Sequence, residues 1–204
     1  LRIQKDAHFG ENVRAVIITN ESPEQISPEL RKCANDFIHV AFDVDGVFTD
    51  GSLISTIDGE LLRTFNAKDC MAVRMCYMKG FPVAIITGGV SASIVNRFRD
   101  LKVPMENIYQ KSRDKVVCLN DFCQRYGITP ENVAYIGDDL PDIGVMQICG
   151  LAVAPADAVP EVKEVCDYVS LYPGGKRVVR DLVEQVLKVH GKWEMDIDQY
   201  AAKF

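Results

Sequence analysis

The stretch FDVDGVFTDG, residues 42–51, follows an apolar run, and the two together decide how the chain folds. Residues 38–42 read IHVAF, which predicts a buried strand over 38–44. Asp43 and Asp45 stand two positions apart at the end of this strand, so their side chains are expected to project to the same side. Gly46 then allows the chain to turn away. Buried carboxylates are costly unless something pairs with them, so a positively charged partner is expected here.

From residue 28 onward, strand-like and helix-like segments alternate, which is typical of a parallel α/β sheet. The sequence therefore predicts a Rossmann-like three-layer sandwich with a central parallel sheet. Residues 52–56 and 60–65 interrupt the alternation, because they flank Asp58-Gly59, a strong hairpin signal. We expect this hairpin to be a flap over the two carboxylates, and no large cap domain is predicted. Further strands are predicted over 82–86, 108–110, 133–136, 151–153 and 167–171, and helices over 67–79, 113–126, 140–149, 160–165 and 176–190.

More polar groups follow the other predicted strands. Thr87-Gly88-Gly89 comes directly after strand 82–86, and a hydroxyl with exposed backbone amides before a helix can hold a phosphate group. Gly137-Asp138-Asp139 follows strand 133–136, with Asp142 close behind. Helix capping explains one or two of these acids, but not three beside another acidic pair.

Lys115 stands near the start of helix 113–126, where the helix dipole disfavours a cation unless something anionic compensates. Because ligands of open α/β sheets bind at the carboxyl ends of the strands, these groups are expected to meet there. Carboxylates, one hydroxyl and one ammonium suit a magnesium ion and a phosphoryl group. Asp43 would be the nucleophile that forms an acyl phosphate, and Asp45, held in its protonated form, would be the acid and base.

Composition narrows the classes of partner. The chain has 204 residues and a formal net charge of −6 without a dense basic stretch, which argues against a nucleic-acid partner. An apolar stretch long enough to span a membrane is absent from the sequence. The seven cysteines are scattered without a C-x-x-C pair, so we interpret them as reduced thiols of a cytoplasmic protein.

The motifs D-x-D-G-V-x-T at 43–49, Thr87-Gly88, Lys115 and G-D-D-x-x-D at 137–142 resemble, in order and spacing, the four motifs of the haloacid dehalogenase superfamily. FDVDGVFTDG, the hairpin, FNAKD at 65–69, VAYIGDD at 133–139 and Pro173-Gly174-Gly175 look like the capless 3-deoxy-D-manno-octulosonate 8-phosphate phosphatases. The resemblance implies a magnesium-dependent phosphatase and a homotetramer in which a neighbouring subunit helps to close the active site.

The resemblance also implies roles for individual residues. Asp43, the backbone carbonyl of Asp45, and Asp138 would bind magnesium. Thr87 and Lys115 would hold the phosphate, with Gly88 beside them, and Asp142 would orient the lysine or the waters of the metal. Substrate-side contacts are implied for three further residues, for each of which a purely structural place is also open: Asn66, Asp69 and Arg97.

Two departures from the family pattern bear on the substrate. The family often has Thr-Gly-Arg where this chain has Thr87-Gly88-Gly89, which removes a cation from the site. The turn after Pro173 usually reads Gly-Gly-Arg-Gly, whereas here Lys176 and Arg177 follow the two glycines. The octulosonate 8-phosphate is the first choice of substrate. A nonulosonate 9-phosphate remains as an alternative, as does a phosphatase-like oligomerisation domain of a sialic-acid cytidylyltransferase.

The predicted organisation has three parts. Residues 28–191 form the phosphatase-like domain, and residues 1–27 are an N-terminal extension that is either a linker or the remnant of an upstream domain. Residues 192–204 form a C-terminal tail with several large apolar groups. We expect this tail to pack on a neighbouring subunit or to extend the last helix on its own subunit.

Overall fold

The computed structural model describes residues 39–193, and eight strands lie in this part of the chain. The strands are β1 (His39–Phe42), β2 (Ile54–Ser55), β3 (Leu61–Leu62), β4 (Val83–Ile86), β5 (Ile108–Tyr109), β6 (Val133–Ile136), β7 (Leu151–Ala154) and β8 (Tyr168–Val169). Six of them form one sheet in the order β5-β4-β1-β6-β7-β8, and every neighbouring pair is parallel. β2 and β3 form the separate antiparallel hairpin that Asp58-Gly59 predicts.

Helices connect the strands and cover both faces of the sheet. They are α1 (Ala67–Lys79), α2 (Ala92–Asp100), α3 (Lys115–Tyr126), α4 (Ile143–Met146), α5 (Pro160–Val165) and α6 (Val178–Val189), with single 3₁₀ turns at Met105–Asn107, Pro130–Asn132 and Leu140–Asp142. The predicted helix over 140–149 is thus shorter than expected. It begins as a 3₁₀ turn that contains Pro141, and its α-helical part ends at Met146.

The core forms two layers, one on each face of the sheet. Side chains alternate along a strand, so Val40 and Phe42 of β1 pack with α1, α2 and α6, whereas Ala41 packs with α3, α4 and α5. β1, β4, β6 and β7 are buried along their whole length because helices cover both faces. The predicted three-layer sandwich with a parallel sheet is confirmed, and no cap domain lies among the described residues.

β1 occupies the position in the sheet that matters for binding. It pairs with β4 on one side and with β6 on the other, so the strand order reverses at this point. Phe42 lies opposite Ile85 in β4 and Ile136 in β6, which aligns the carboxyl ends of the three strands. Ligands of open α/β sheets bind at such a switch point. The residues that follow these three strands therefore share one edge.

Some sequence predictions fall outside the described residues. These are the N-terminal extension 1–27, the start of the domain at 28–38 and most of the tail, residues 194–204. The first residues of the tail are described, and the Trp193 ring packs against the core of its own chain with the Arg180 guanidinium 4.5 Å from its centroid. Across residues 39–193, the helices are all too short or too polar to cross a membrane.

Candidate active site

Asp43 leaves the end of β1 and meets Lys115, the first residue of α3. The Lys115 ammonium lies 2.9 Å from Asp43 Oδ1, and both side chains are buried. The same ammonium donates to Asp142 Oδ1 at 2.7 Å. Asp114 caps α3 by accepting from the backbone of Val116 and Val117, which directs the first turn of the helix toward the sheet edge. The cation that the sequence placed at an unfavourable helix end is thus compensated by two carboxylates.

The charges of this cluster shift one another's ionisation. Burial raises the pKa of Asp43 to about 7, with the charge of Lys115 opposing the shift and that of Asp142 adding to it. Burial alone would lower the pKa of Lys115, but the charges of Asp43 and Asp142 outweigh burial, and its pKa lies above the ordinary value. Lys115 therefore stays positive, and its charge favours the ionised form of the buried Asp43.

Asp142 is held from several sides, which leaves it little capacity for a ligand. Its Oδ1 accepts from Lys115 and, at 2.5 Å, from the buried Tyr135 hydroxyl. Its Oδ2 accepts from the backbone of Asp138 at 3.1 Å and of Asp139 at 3.4 Å. These bonds fit the expected role of Asp142, which is to orient the Lys115 ammonium.

Asp43, Asp138 and Asp142 offer carboxylate oxygens that all lie within 4.8 Å of one another. Because Asp142 is already occupied, Asp43 and Asp138 are the two carboxylates left for a cation. Asp138 Oδ1 is buried without a hydrogen-bond partner among the described residues. Burial, followed by the charges of Asp43 and Asp142, raises the pKa of Asp138 to about 8. A divalent cation between the two carboxylates would satisfy the unpartnered oxygen and remove the repulsion, so these residues fit magnesium.

Gly46 allows Asp138 to lie this close to the β1 loop. Its φ is +82°, which disfavours any residue with a side chain, and a Cβ there would lie 1.9 Å from Asp138 Oδ2. The glycine that follows the two carboxylates therefore serves the metal ligands as well as the turn.

Asp45 has a partner that the sequence did not reveal. Arg63 follows β3 of the hairpin, and its Nε and Nη2 donate to the two Asp45 oxygens at 2.6 and 2.8 Å. This two-point pairing with a guanidinium fixes the position and the plane of the Asp45 carboxyl group. The flap expected over the carboxylates is confirmed in this sense, since its last residue touches one of them. The only sequence signal for Arg63 is its place directly after the flap strand.

The turn after β4 lies beside these groups. Thr87 is buried, and its hydroxyl oxygen accepts from the Gly89 backbone at 3.0 Å, while Gly88 is exposed. A Cβ built on Gly89 would lie 3.4 Å from Thr87 Oγ1 and 3.2 Å from Asp45 Oδ2. The Thr87 hydroxyl, which is expected to hold phosphate, and the Asp45 carboxyl group therefore both lie next to Gly89.

The three residues predicted as substrate contacts make hydrogen bonds within the protein. Asn66 caps α1 and donates to the Gly175 carbonyl at 3.1 Å. Asp69 has no exposed surface and accepts from the backbone of Arg177 and Arg180, at 3.0 and 2.8 Å, at the start of α6. Arg97 Nε lies 3.3 Å from Cys70 Sγ. Asn66 caps the helix and Asp69 lies in its first turn, the structural places that the sequence left open, whereas Arg97 is half-buried rather than solvated; their contacts with a substrate stay a prediction.

The glycine-rich turn shows how the second departure is accommodated. Gly175 donates to the Val47 carbonyl at 2.8 Å, which fastens the turn to the loop after β1. Arg177, which stands where the family pattern has glycine, adopts a φ of +93° and precedes α6. Its guanidinium lies 4.8 Å from the Tyr172 ring centroid. Arg177 therefore adopts a left-handed backbone conformation that usually requires glycine.

Comparison with known proteins gives the class of this site. A family model described as haloacid dehalogenase-like hydrolase matches residues 92–173. The 3-deoxy-D-manno-octulosonate 8-phosphate phosphatase KdsC of Salmonella typhimurium is 36% identical over 167 residues, which cover 82% of this chain and 88% of the relative. The KdsC protein of Yersinia pestis is 38% identical over 152 residues, which cover 74% of this chain and 80% of the relative.

A solved structure extends the match. The 3-deoxy-D-manno-octulosonate 8-phosphate phosphatase of Moraxella catarrhalis, solved with a magnesium ion, a phosphate ion and a KDO molecule, has a TM-score of 0.76 and 30% identity. The alignment covers 86% of this chain and 98% of that one. Fold, site and similarity define a haloacid dehalogenase-like hydrolase of the capless type. Within that superfamily, the chain belongs to the 3-deoxy-D-manno-octulosonate 8-phosphate phosphatase family.

Proposed function

We propose that this protein is a magnesium-dependent phosphatase that hydrolyses 3-deoxy-D-manno-octulosonate 8-phosphate. The observation that carries the proposal is the buried Asp43 at the switch point of the sheet, paired at 2.9 Å with Lys115 and close to Asp138. A family whose relatives are named for this reaction supports the choice of substrate.

The reaction follows from the positions of Asp43 and Asp45. An Asp43 oxygen attacks phosphorus, the bond from phosphorus to the sugar oxygen breaks, and Asp45 gives the leaving oxygen a proton. Water then attacks the phosphorus of the aspartyl phosphate while Asp45 takes its proton, which frees phosphate and restores Asp43. The proton that Asp45 takes from water in one turnover is the proton it gives to the leaving group in the next.

The remaining residues hold charge in place. Lys115 neutralises Asp43 before the attack and one charge of the phosphoryl group during it. Thr87 and Gly88 would donate to the phosphoryl oxygens. Asp43, Asp138 and the backbone carbonyl of Asp45 would hold magnesium, which offsets negative charge on the transferred group. Asp142 keeps the Lys115 ammonium in position through its 2.7 Å hydrogen bond.

The substrate is tested with a panel of phosphorylated sugar acids. We expect magnesium-dependent phosphate release from the octulosonate 8-phosphate at a higher kcat/KM than from two nonulosonate 9-phosphates. A preference for a nonulosonate would keep the mechanism and change the substrate. Absence of release from all three, by folded protein with magnesium, would contradict the proposed function and favour the oligomerisation-domain alternative.

We also propose that the protein works as a homotetramer in the cytoplasm. The hairpin supports an assembly, because four of its large apolar side chains are exposed: Leu53, Ile54, Ile57 and Leu62. The six described cysteines are all free thiols, which are typical of a reducing compartment. Replacing Ile54 and Ile57 with Ser should lower the mass measured by light scattering. An unchanged mass would exclude the hairpin from the interface.

A further inference from the structure

Arg63 carries the hairpin into the candidate active site. Its Nη1 donates to the Leu61 carbonyl at 3.0 Å, which fixes the guanidinium against its own strand. Its Nε and Nη2 bind Asp45 at two points. The Arg63 side chain is only 1% exposed, whereas that of Asp45 is 28% exposed. The carboxylate is thus clamped from the protein side and remains open on the other.

Two-point pairing determines more than distance. The planar guanidinium fixes the plane of the carboxylate as well as its position, which a single ammonium cannot do. Each carboxylate oxygen has two lone-pair sites, so the two bonds to Arg63 leave one site on each oxygen for a proton. Asp45 can exchange a proton with the substrate or with water while Arg63 holds its orientation.

Gly89 provides the space that Arg63 occupies. A Cβ at this position would lie 2.7 Å from Arg63 Nη2, closer than such atoms approach. The backbone of Gly89 has no positive φ, so space rather than conformation requires the glycine. The hairpin therefore brings a guanidinium, that of Arg63, next to position 89, where the family often has an arginine. Arg63 fills the room that a side chain at Gly89 would take.

The hairpin does not depend on Arg63 alone for its attachment. Glu60 Oε2 accepts from the Ser91 hydroxyl at 3.2 Å, which ties the hairpin to the residue that caps α2. Burying a long arginine side chain costs conformational entropy. Because Glu60 already attaches the hairpin, attachment alone does not explain why Arg63 is buried. The position of Arg63 on Asp45 points to a role in the reaction.

We infer that Arg63 is a positioning residue, which holds Asp45 in the orientation for proton transfer to and from the leaving-group side. The inference rests on the proposed phosphatase function. It assigns the hairpin a part in the chemistry, since Arg63 links the flap to Asp45. It also assigns Gly89 a part, as the residue that admits the guanidinium.

The test compares two leaving groups. The sugar oxygen of the octulosonate ester needs a proton to leave, whereas p-nitrophenolate leaves without one. In Arg63→Ala, we expect kcat for the octulosonate 8-phosphate to fall about 100-fold with KM unchanged, because a misplaced acid loses most of its contribution. The first release of p-nitrophenolate from p-nitrophenyl phosphate, which precedes the step in which Asp45 takes a proton from water, should change little, and it shows at the same time that the variant is folded.

Two further variants sharpen the comparison. Gly89→Ala should show the same selective loss, because the flexible end of Arg63, 2.7 Å from the added Cβ, has to move and Asp45 Oδ2, at 3.2 Å, shifts with it, while the protein stays folded. Combining Gly89→Ala with Arg63→Ala should add little further loss, since both act through one contact. Glu60→Gln, which alters the other hairpin anchor without touching Asp45, is the matched control and should keep both rates. Added guanidinium ion should restore part of the octulosonate rate in Arg63→Ala.

The outcomes separate the inference from the function on which it rests. An equal fall in the first release of both leaving groups, or an increase in KM with kcat unchanged, would overturn the inference, because Arg63 would then bind phosphate or the substrate. Equal losses in Glu60→Gln and Arg63→Ala would overturn it as well, since general loosening of the hairpin would explain both. A wild-type protein that releases phosphate from neither substrate would overturn the proposed function itself.

Discussion

The ammonium of Lys115 lies 2.9 Å from Asp43 Oδ1, and the two side chains are only 4% and 9% exposed. The pair sits where β1, β4 and β6 end side by side. Because the buried Lys115 ammonium lies between Asp43 and Asp142, both the stability of the fold and the proposed chemistry depend on Lys115.

Lys115→Met should lower both activity and stability. Removing one partner of a buried ion pair leaves uncompensated charge, so we expect the free energy of unfolding to fall by about 3 to 5 kcal/mol. Phosphate release should be lost with it, because Asp43 would retain its proton. Lys68→Met, at an exposed lysine of α1, is the matched control and should change stability by no more than about 0.5 kcal/mol. Denaturant unfolding checks both, and equal stabilities for the two variants would contradict the account.

Magnesium should stabilise the protein more at high pH than at low pH. The pKa values of Asp43 and Asp138 are raised in the fold, to about 7 and about 8, so the folded state keeps these protons to higher pH than the unfolded state. The stability that the two groups contribute is therefore lost as pH rises through this range. Magnesium binds the deprotonated carboxylates, so the stability gained on adding it should grow between about pH 6 and 9.

Thermal unfolding with chelator and with magnesium, across that pH range, measures this gain. Asp138→Asn removes one expected ligand and should abolish most of the gain. A gain that is the same at both ends of the range, or one that persists in Asp138→Asn, would contradict the assignment of the metal site.

His39 should make the fold sensitive to acid. It is buried at the start of β1 with its ring 5.7 Å from Phe122 and 5.3 Å from Tyr126, and burial lowers its pKa to about 4. As the pH is lowered from 6.5 to about 4, the unfolded chain gains a proton that the folded chain does not. The free energy of unfolding therefore decreases on acidification, by up to about 3 kcal/mol. His39→Phe should remove this dependence. An unchanged slope in the variant would show that other groups cause it.

Gly174→Ala should disturb the loop that carries Asp45. A Cβ at Gly174 would lie 1.9 Å from the Gly46 carbonyl oxygen, and backbone cannot move aside as a side-chain end can. We expect a loss of about 1 to 3 kcal/mol in unfolding free energy, and a fall in kcat. Gly144→Ala, at an exposed position of α4 where a Cβ would meet a Val116 methyl group at 3.3 Å rather than backbone, is the control and should cost much less stability. Equal stability of both variants would contradict the close packing of the two loops.

The sequence predicted the parallel sheet, and it predicted that most of the polar groups of the candidate site meet at one edge, because both follow from local pattern. Asp43 and Thr87 come directly after a strand and Asp138 one residue later, and parallel strands bring their carboxyl ends to one edge. Lys115 was found from its unfavourable place at a helix start. These signals depend on neighbours in the sequence and on one rule of topology.

What the sequence missed depends on how distant segments pack. Arg63 reaches Asp45 only because the hairpin folds back onto the sheet edge, and the spacing of 18 residues between them carries no pattern. Gly89 was interpreted as the loss of a cation, whereas the space it leaves is filled by Arg63. Asn66, Asp69 and Arg97 were assigned from the resemblance, and although the sequence allowed Asn66 to cap a helix, the bonds of the three residues to distant segments could not be foreseen without the fold.

The central claim, that Asp43 is the nucleophile, is tested most directly by looking for its phosphorylated form. Wild-type protein with magnesium is mixed with the octulosonate 8-phosphate and quenched in acid during turnover, and the peptide that contains Asp43 is weighed by mass spectrometry. We predict one added phosphoryl group on that peptide, lost in Asp43→Asn together with phosphate release. Phosphate release by Asp43→Asn at the wild-type rate, or phosphorylation of a different peptide, would contradict the account.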